Sequence, residues 1–392
     1  MSGAPGAAGV RALFFAYFAY VGLLTPYLSL WFADRGLSIG AIALLLALPQ
    51  AMRIVAPPFW GWLADRSGRR VVWLRLASAG ALLVLLAFPW AHGVAAFAVL
   101  MLLLAFLTAA QGPIGEALAL QAAAGDAGRY GRMRLWGSVG FVVTVLAGGP
   151  VLDALGLSAV PWLLATAIGA LLAVTVAVPE AAAAMPRTGA APVRERLREP
   201  AVVAFLLSAF LMIFAHAALY AFFSLFLERH GYSRTAIGAI WALGVVAEIA
   251  LFVGQRRLFD RAAPIPLLAV CFAVCALRFA LVGASAGALW IVVVTQLMHA
   301  ITFGLHHSAS MAVLHRWFDP SQQARAQAAF IVVAYGLGGT VGSLVAGTLW
   351  ERVGPPAAFF GAAAAAAGGL VAVWMAGRLE AAGAPRPAVP LS

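Results

Sequence analysis

Lysine is absent from this 392-residue chain, so all 25 basic residues are arginine. We read the missing lysine as a mark of genome composition, but it has one functional consequence. The phosphate-binding loop G-x-x-x-x-G-K-[ST] needs a lysine to reach the nucleotide phosphates, so ATP drive through such a loop is excluded within this chain. Charge as a whole is scarce. Only 10% of residues are charged and 64% are hydrophobic, whereas soluble domains carry roughly a quarter charged residues; soluble composition is excluded. Cysteine is nearly absent too. Cys271 and Cys275 lie four apart inside one apolar run, a spacing that makes neither the usual disulfide nor a zinc framework. They read as buried thiols. Long polar connections are missing except for one, EAAAAMPRTGAAPVRERLREP at 180–200. No cleavable leader is read at the start, because the first apolar run is long enough to span a bilayer and many others follow it.

What is there is a series of apolar runs of about twenty residues, the length that crosses a hydrocarbon core about 30 Å thick. Charged and Pro/Gly breaks divide them into twelve predicted helices. These lie near 10–33, 39–63, 71–90, 94–121, 132–152 and 157–179, then near 201–227, 235–255, 264–283, 286–312, 324–349 and 356–377. The expected fold is an all-α membrane protein of twelve transmembrane helices in two pseudo-symmetric six-helix bundles. The expected organisation is an N-terminal half at 1–180, a cytoplasmic linker at 181–200, a C-terminal half at 201–380 and a cytoplasmic tail at 381–392.

The arginines set the orientation. With the N-terminus taken as cytoplasmic, nineteen fall on the cytoplasmic side and four, Arg35, Arg229, Arg234 and Arg352, on the other. Arg53 and Arg278 fall inside spans. This asymmetry predicts both termini in the cytoplasm. The net charge of +11 sits in short loops between apolar runs, so it points to membrane topology and not to nucleic acid. The halves also echo one another. Asp65 precedes Asp260 by 195 positions, Asp126 precedes Asp319 by 193, and Arg132 precedes Arg325 by 193. Three matches near half the chain length suggest duplication. Paired six-helix halves are a transporter plan, with the solute site between them near the midplane.

The short loop after the second run reads GWLADRSGRR, residues 61–70. It resembles the signature loop of the major facilitator superfamily, and Gly61, Asp65, Arg66, Gly68, Arg69 and Arg70 match the pattern. The physical reading stands beside the resemblance. Gly61 allows close helix approach and Gly68 a tight turn. Asp65 accepts from arginines or from a neighbouring helix N-terminus. The cluster is either a lock that holds one conformation or a plain positive-inside anchor. A worn copy, GQRRLFDR, stands at 254–261.

Longer stretches carry a closer resemblance. YGRMRLWGSVGF (130–141), AHAALYAFFSLF (215–226), GAIWALGVVAEIALF (238–252) and TQLMHAITFGLHHSASM (295–311) are similar to the phenylpropionate permease family. That family is close to the lactose-permease type of proton symporter. The resemblance implies the major facilitator fold, a bacterial cytoplasmic membrane, and proton-coupled uptake of a small organic solute such as an aromatic carboxylate. It also implies that Glu116 and Arg134 hold solute, and that Glu248, Arg278 and His299 serve binding and proton coupling. One departure stands out. The lactose-permease type carries a second acid one turn after the histidine, where this chain has Thr302, so more of the proton work falls on Glu248 or His299.

The intramembrane charges point the same way without the resemblance. Each costs about 2.5–3.5 kcal/mol on insertion scales, so each needs a partner or a wet cavity. Arg53 lies twelve residues before Asp65, and Glu248 twelve before Asp260. The two therefore occupy equivalent places and are expected to face one cavity, pairing directly when it is empty. The alternative is a structural charge pair. Arg134 is either a solute ligand or a cytoplasmic-end anchor beside Arg129 and Arg132. Trp136 either covers a ring-bearing solute or sits at the membrane interface. His216 draws a polar stripe with Tyr220 and Ser224, and is a solute contact or a satisfied interhelical group.

Tyr17, Tyr20 and Tyr27 share a helix face; Tyr20 stands for an aromatic wall in the binding set, against ordinary packing. His299, His306 and His307 are spaced to share a face; His299 and His307 are read as polar lining or proton relay. A metal site on them lacks the i, i+4 pair with an added acid. Gly338 with Gly342, and Gly137, Gly140, Gly148 and Gly149, permit either sliding or static close packing. No cofactor is expected beyond a driving ion, H+. The expected partners are a small-molecule solute and membrane lipid, with no nucleic acid. The sequence leaves the oligomeric state open, and a monomer fits it. Two other readings stand beside this one: outward transport of a drug or metabolite, and, remotely, a membrane-embedded metalloenzyme.

Overall fold

The computed structural model describes residues 6–180, 192–285 and 287–383. Most of the linker, with Arg187, and most of the tail, with Arg386, lie outside the described residues. Among the described residues there is no β-strand, and twelve helices are long and apolar enough to cross a membrane. In chain order they are α1 (Ala7–Asp34), α2 (Ile39–Ser67), α3 (Arg70–Trp90), α4 (Gly93–Ala123), α5 (Gly128–Leu155) and α6 (Leu157–Ala177). Then come α7 (Pro200–Arg229), α8 (Arg234–Gly254), α9 (Pro264–Ser285), α10 (Leu289–Trp317), α11 (Gln323–Arg352) and α12 (Pro355–Ala382). Only structures that satisfy every backbone polar group internally can sit in hydrocarbon. Leu76, Leu83, Val99, Val253, Leu277 and Trp374 are exposed on the outside of the bundle, which suits a lipid-facing surface. The protein is an integral membrane protein.

Twelve crossings bring both described ends to one face, called here the terminal face; the opposite one is the far face. Packing repeats between the halves. In the first half α1 lies against α5 and α6, α3 against α6, and α2 against α4. In the second half α7 lies against α11 and α12, α9 against α12, and α8 against α10. The halves meet along two equivalent seams, α5 on α8 and α2 on α11, with α1 on α7 between them.

Contact between the halves concentrates toward the far face. Tyr27 of α1 donates to the carbonyl of Val145 at 2.8 Å and reaches the carbonyl of Arg234 at 3.5 Å. A Cβ on Gly149 would stand 2.6 Å from that same Arg234 carbonyl. Toward the terminal face the helices part. The stretch Ala56–Ser67 packs on α3 and α4, and Gln323–Phe330 on α10, each within its own half. The structure is closed at the far face and open at the terminal face.

Four spans depart from the uninterrupted helices that the apolar runs predict. In α2 the helix stops at Met52 and restarts at Ala56. Pro57 and Pro58 lack the N–H groups that the carbonyls of Arg53 and Ile54 would accept. In α4 it stops at Thr108 and restarts at Gln111, where Pro113 removes the donor for Ala109. The freed carbonyl of Phe106 is taken by Trp60 Nε1 at 2.7 Å. In α10 and α11 wider π turns occupy Ala300–Leu305 and Ile331–Gly338. Such turns concentrate at functional sites, and all four lie at middle depth.

Candidate solute and coupling site

The site is assembled from these irregular stretches. Arg53 is the residue on which the first half of α2 ends, its N–H still bonded to the Gln50 carbonyl. It lies fourteen residues from the far-face end of α2, and Glu248 lies fourteen from the far-face end of α8. At 1.5 Å per residue both sit about 21 Å deep. The Arg53 guanidinium lies 5.5 Å from the centre of the Tyr335 ring on α11. Tyr335 and Tyr220 both lie within electrostatic reach of Arg53 and of Glu248, so the two groups stand near one another across the halves. The expected direct pair does not form: among the described residues no ion pair joins Arg53 or Glu248 to anything. The far-face closure leaves the opening between the halves facing the terminal side. Arg53 is exposed and Glu248 half-buried. Glu248 packs beside Gly304 in the π turn of α10, where a Cβ would meet its Cγ at 2.8 Å.

Nearer the terminal face, Glu116 and Arg134 come together as the resemblance implies. Arg134 Nε lies 3.7 Å from Glu116 Oε1, with the two side chains 37% and 41% exposed, so water screens the pair. Tyr130, which the sequence did not single out, donates to Glu116 Oε2 at 2.6 Å. The Arg134 guanidinium stands 4.3 Å from the Phe18 ring centre and 5.5 Å from that of Phe14, a cation–π cradle from α1. His307 is exposed on the same space and feels the Arg134 charge.

A second cluster is fully buried behind that space. Arg278 is 0% exposed. Its Nε donates to the Thr295 carbonyl at 2.7 Å, and its Nη1 to Thr302 Oγ1 at 3.1 Å and His299 Nδ1 at 3.2 Å. His216 Nδ1 sits 2.9 Å from the Met212 carbonyl, an acceptor, so that nitrogen carries the proton and Nε2 faces Arg278 at 3.4 Å as an acceptor. Both histidines are therefore neutral toward the cation. Arg278 Nη2 is buried and unpartnered among the described residues. Thr302, standing where an acid was expected, supplies only a neutral oxygen.

Several expectations are corrected by placement. Trp136, expected to cover a ring-bearing solute beside Arg134 or to sit at the membrane interface, turns away from Arg134. Two positions along a helix face nearly opposite ways, and Trp136 lines a groove of about 700 Å³ between α1, α5 and α6 beside Phe15. His216 is buried at 0% and Tyr20 at 3%; His216 belongs to the Arg278 cluster, and Tyr20 packs toward α4 near Thr108. Tyr27 closes the far-face seam and forms no solute wall. Tyr17, by contrast, feels the charges of both Arg53 and Arg134. The three histidines of α10 do not share a face, because the π turn rotates the helix between them. His299 stacks on Phe303 at 5.3 Å, His306 meets the edge of Phe272 at 5.6 Å, and His307 faces the open space. Among the described residues no three His, Cys, Asp or Glu side chains are grouped to hold a metal.

The signature loop is placed at the terminal end of α2. Gly68 has φ +67°, the left-handed turn residue that ends the helix. Asp65 accepts from Arg70 at 3.2 Å, and Arg66 lies over Trp62. Arg69 precedes the first turn of α3. Gly61 is not a close-approach residue: a Cβ there would meet Pro113 at an ordinary 3.8 Å.

The family described as MFS_1 like family matches residues 9–361. The chain is 29% identical over 351 residues to the probable 3-phenylpropionic acid transporter of Escherichia coli (strain K12), covering 87% of this chain and 90% of that one. It is also 29% identical over 377 residues to the maltose permease of Geobacillus stearothermophilus, covering 94% of each. Among solved structures, the nucleoside transporter NupG superposes with a TM-score of 0.79 at 16% identity, covering 95% of this chain and 98% of that one. A bacterial homologue of the human lysosomal transporter Spinster, in an inward-facing and unoccupied conformation, superposes with a TM-score of 0.69 at 16% identity, covering 95% of each chain. At these identities the superpositions speak to fold alone.

Proposed function

The chain belongs to the MFS_1-like family, and from that premise we propose that it is a proton-coupled importer of a small organic carboxylate, an aromatic acid of the phenylpropionate type. Family, fold and relatives by themselves make it a membrane transporter of a small-molecule solute and not an enzyme.

One observation carries the finer reading. Arg53 and Glu248 stand at equal depth on opposite halves, each without a charged partner among the described residues, and both act on Tyr335 and Tyr220. A solute carboxylate entering that space meets Arg53, with Arg134 nearer the terminal face on the same half. Charge-assisted hydrogen bonds to guanidinium are the strong ones. The ring of an aromatic acid packs on Tyr17, Tyr220 and Tyr335, each within electrostatic reach of Arg53. Glu248, on the other half, takes the proton, so that solute and proton together bridge the halves with their charges cancelled. A neutral complex is cheaper to carry through a low-dielectric midplane than either ion alone. Arg278, held by neutral histidines and threonines, is the fixed positive charge behind Glu248. The arginine asymmetry supports both termini in the cytoplasm, and the bacterial relative supports a bacterial cytoplasmic membrane.

The test is uptake of labelled 3-phenylpropionate into proteoliposomes with an imposed proton gradient. The reading expects accumulation that collapses when the gradient is dissipated. Accumulation indifferent to the gradient removes the coupling; solute exclusion under the inward gradient reverses the direction; maltose transport without acid transport replaces the solute class.

A further inference from the structure

The first turns of α2 and α8 are built alike. Each opens on a serine, Ser38 or Ser233, whose Oγ accepts the N–H three residues on, of Ala41 or Ala236, at 3.2 Å. That leaves the earlier N–H groups of each helix open. A carboxylate from the other half takes both of them at α8 and one of them at α2. Asp153, at the far-face end of α5, accepts from the backbone N–H of Arg234 at 3.0 Å and of Thr235 at 2.9 Å, and from Thr235 Oγ1 at 2.6 Å. Glu351, at the far-face end of α11, accepts from the backbone N–H of Gly40 at 2.8 Å. The two contacts are related by the same repeat that relates the halves: Ser38 and Ser233 are 195 apart, and so are Gly40 and Thr235. One seam puts the acid on the N-terminal half and the cap on the C-terminal half. The other seam reverses the roles.

We propose that Asp153 and Glu351 are positioning residues of the transport cycle, a symmetric pair of latches that hold the far face shut by capping a helix of the opposite half. A carboxylate at a helix N-terminus is stabilised by the unpaired N–H groups and by the helix dipole. When the halves rock apart at the far face, both caps must separate and each first turn loses its acceptor to water. The contact therefore exists in one state of the cycle only, which is the condition for a group to bias an equilibrium. Close packing shows that these seams have no slack. Gly149 meets the backbone of Arg234 and Gly347 meets Ala43, so the acids sit where a small rotation is enough to break them.

The inference rests on alternating exposure of the site and is independent of the solute. Spin labels on Leu155 and Val353, exposed on the far face of opposite halves, report its opening by pulsed distance measurement in lipid, with Cys271 and Cys275 replaced by alanine. Asp153→Ala or Glu351→Ala is expected to shift the ratio of closed to open distances roughly tenfold toward open, and the double variant by roughly the product. Asp153→Asn and Glu351→Gln keep a weaker acceptor and serve if the alanine variants fold poorly; they are expected to move the ratio in the same direction by less. Ser38→Ala and Ser233→Ala are the controls, since they remove caps within one half and should leave the ratio unchanged. Unchanged distances in the acid variants, or equal shifts in the serine variants, overturn the proposal. Because no solute enters the measurement, failure of the proton or carboxylate reading leaves it standing.

Discussion

Arg53 carries its charge at middle depth with the Tyr335 ring 5.5 Å from its guanidinium. Nothing but function or a wet cavity accounts for that in a membrane. Arg53→Ala is expected to lower uptake at limiting solute by at least about tenfold, the loss of one charge-assisted hydrogen bond of roughly 1.5–3 kcal/mol, while membrane insertion measured by protease protection stays normal. Normal uptake would take Arg53 out of the site. Glu248→Gln separates binding from coupling. Exchange of labelled for unlabelled solute across the bilayer should persist, and accumulation against a gradient should vanish. A variant that still accumulates places the proton carrier elsewhere, with His307 the next residue to replace. These ionisable residues were legible because charge is rare in apolar runs. Tyr335, Tyr130 and the Phe14–Phe18 cradle were not, since aromatic residues in such runs are ordinary and only the fold says which of them face a charge.

At the scale of the element, the informative features are the places where helices fail. The prolines at 57, 58 and 113 announce two of the interruptions in the sequence. The π turns of α10 and α11 have no proline and no comparable signal, because an inserted residue is accommodated by neighbours distant in the chain. Their consequence is functional: the turn at Ala300–Leu305 sends His299 inward and His307 toward the open space. The glycine pattern of α11 was readable as close packing but not as to which partner. Gly338 packs on the backbone of Phe210 in α7, where a Cβ would stand 2.6 Å from the carbonyl oxygen. That contact lies within one half and does not slide. Gly338→Leu is accordingly expected to destabilise the C-terminal half by about 1–3 kcal/mol, seen as a lower thermal-unfolding midpoint in detergent with no change in the far-face distances.

For the whole molecule, the decisive relation is between two halves and two seams. Gly149 belongs to a seam and not to a half, since a Cβ on it would stand 2.6 Å from the backbone carbonyl oxygen of Arg234. Gly149→Val should therefore leave each half folded and hold the far face apart. The expected outcome is strongly reduced uptake, solute binding retained, and a Leu155–Val353 distance distribution dominated by the longer component. Retained transport with a closed distribution would show that the seam has more room than its packing indicates. The signature loop fits the same scheme: with the terminal face open, the ion pair Asp65 makes among the described residues is with Arg70 of its own half.

The sequence alone determined the number of spans, the echo between the halves, the rarity and depth of the intramembrane charges, and the loop that ends α2. Each of these depends on hydrophobic length, on periodicity or on a local turn, all of which are written in consecutive residues. Tertiary structure alone decided that Arg53 and Glu248 share a space without pairing, that Trp136 turns away from Arg134, that Arg278 is held by neutral groups, and that Asp153 and Glu351 cap helices of the opposite half. Those are relations between surfaces brought together by packing from separate parts of the chain. A pattern within one helix fixes which face a residue occupies, but not what stands opposite it.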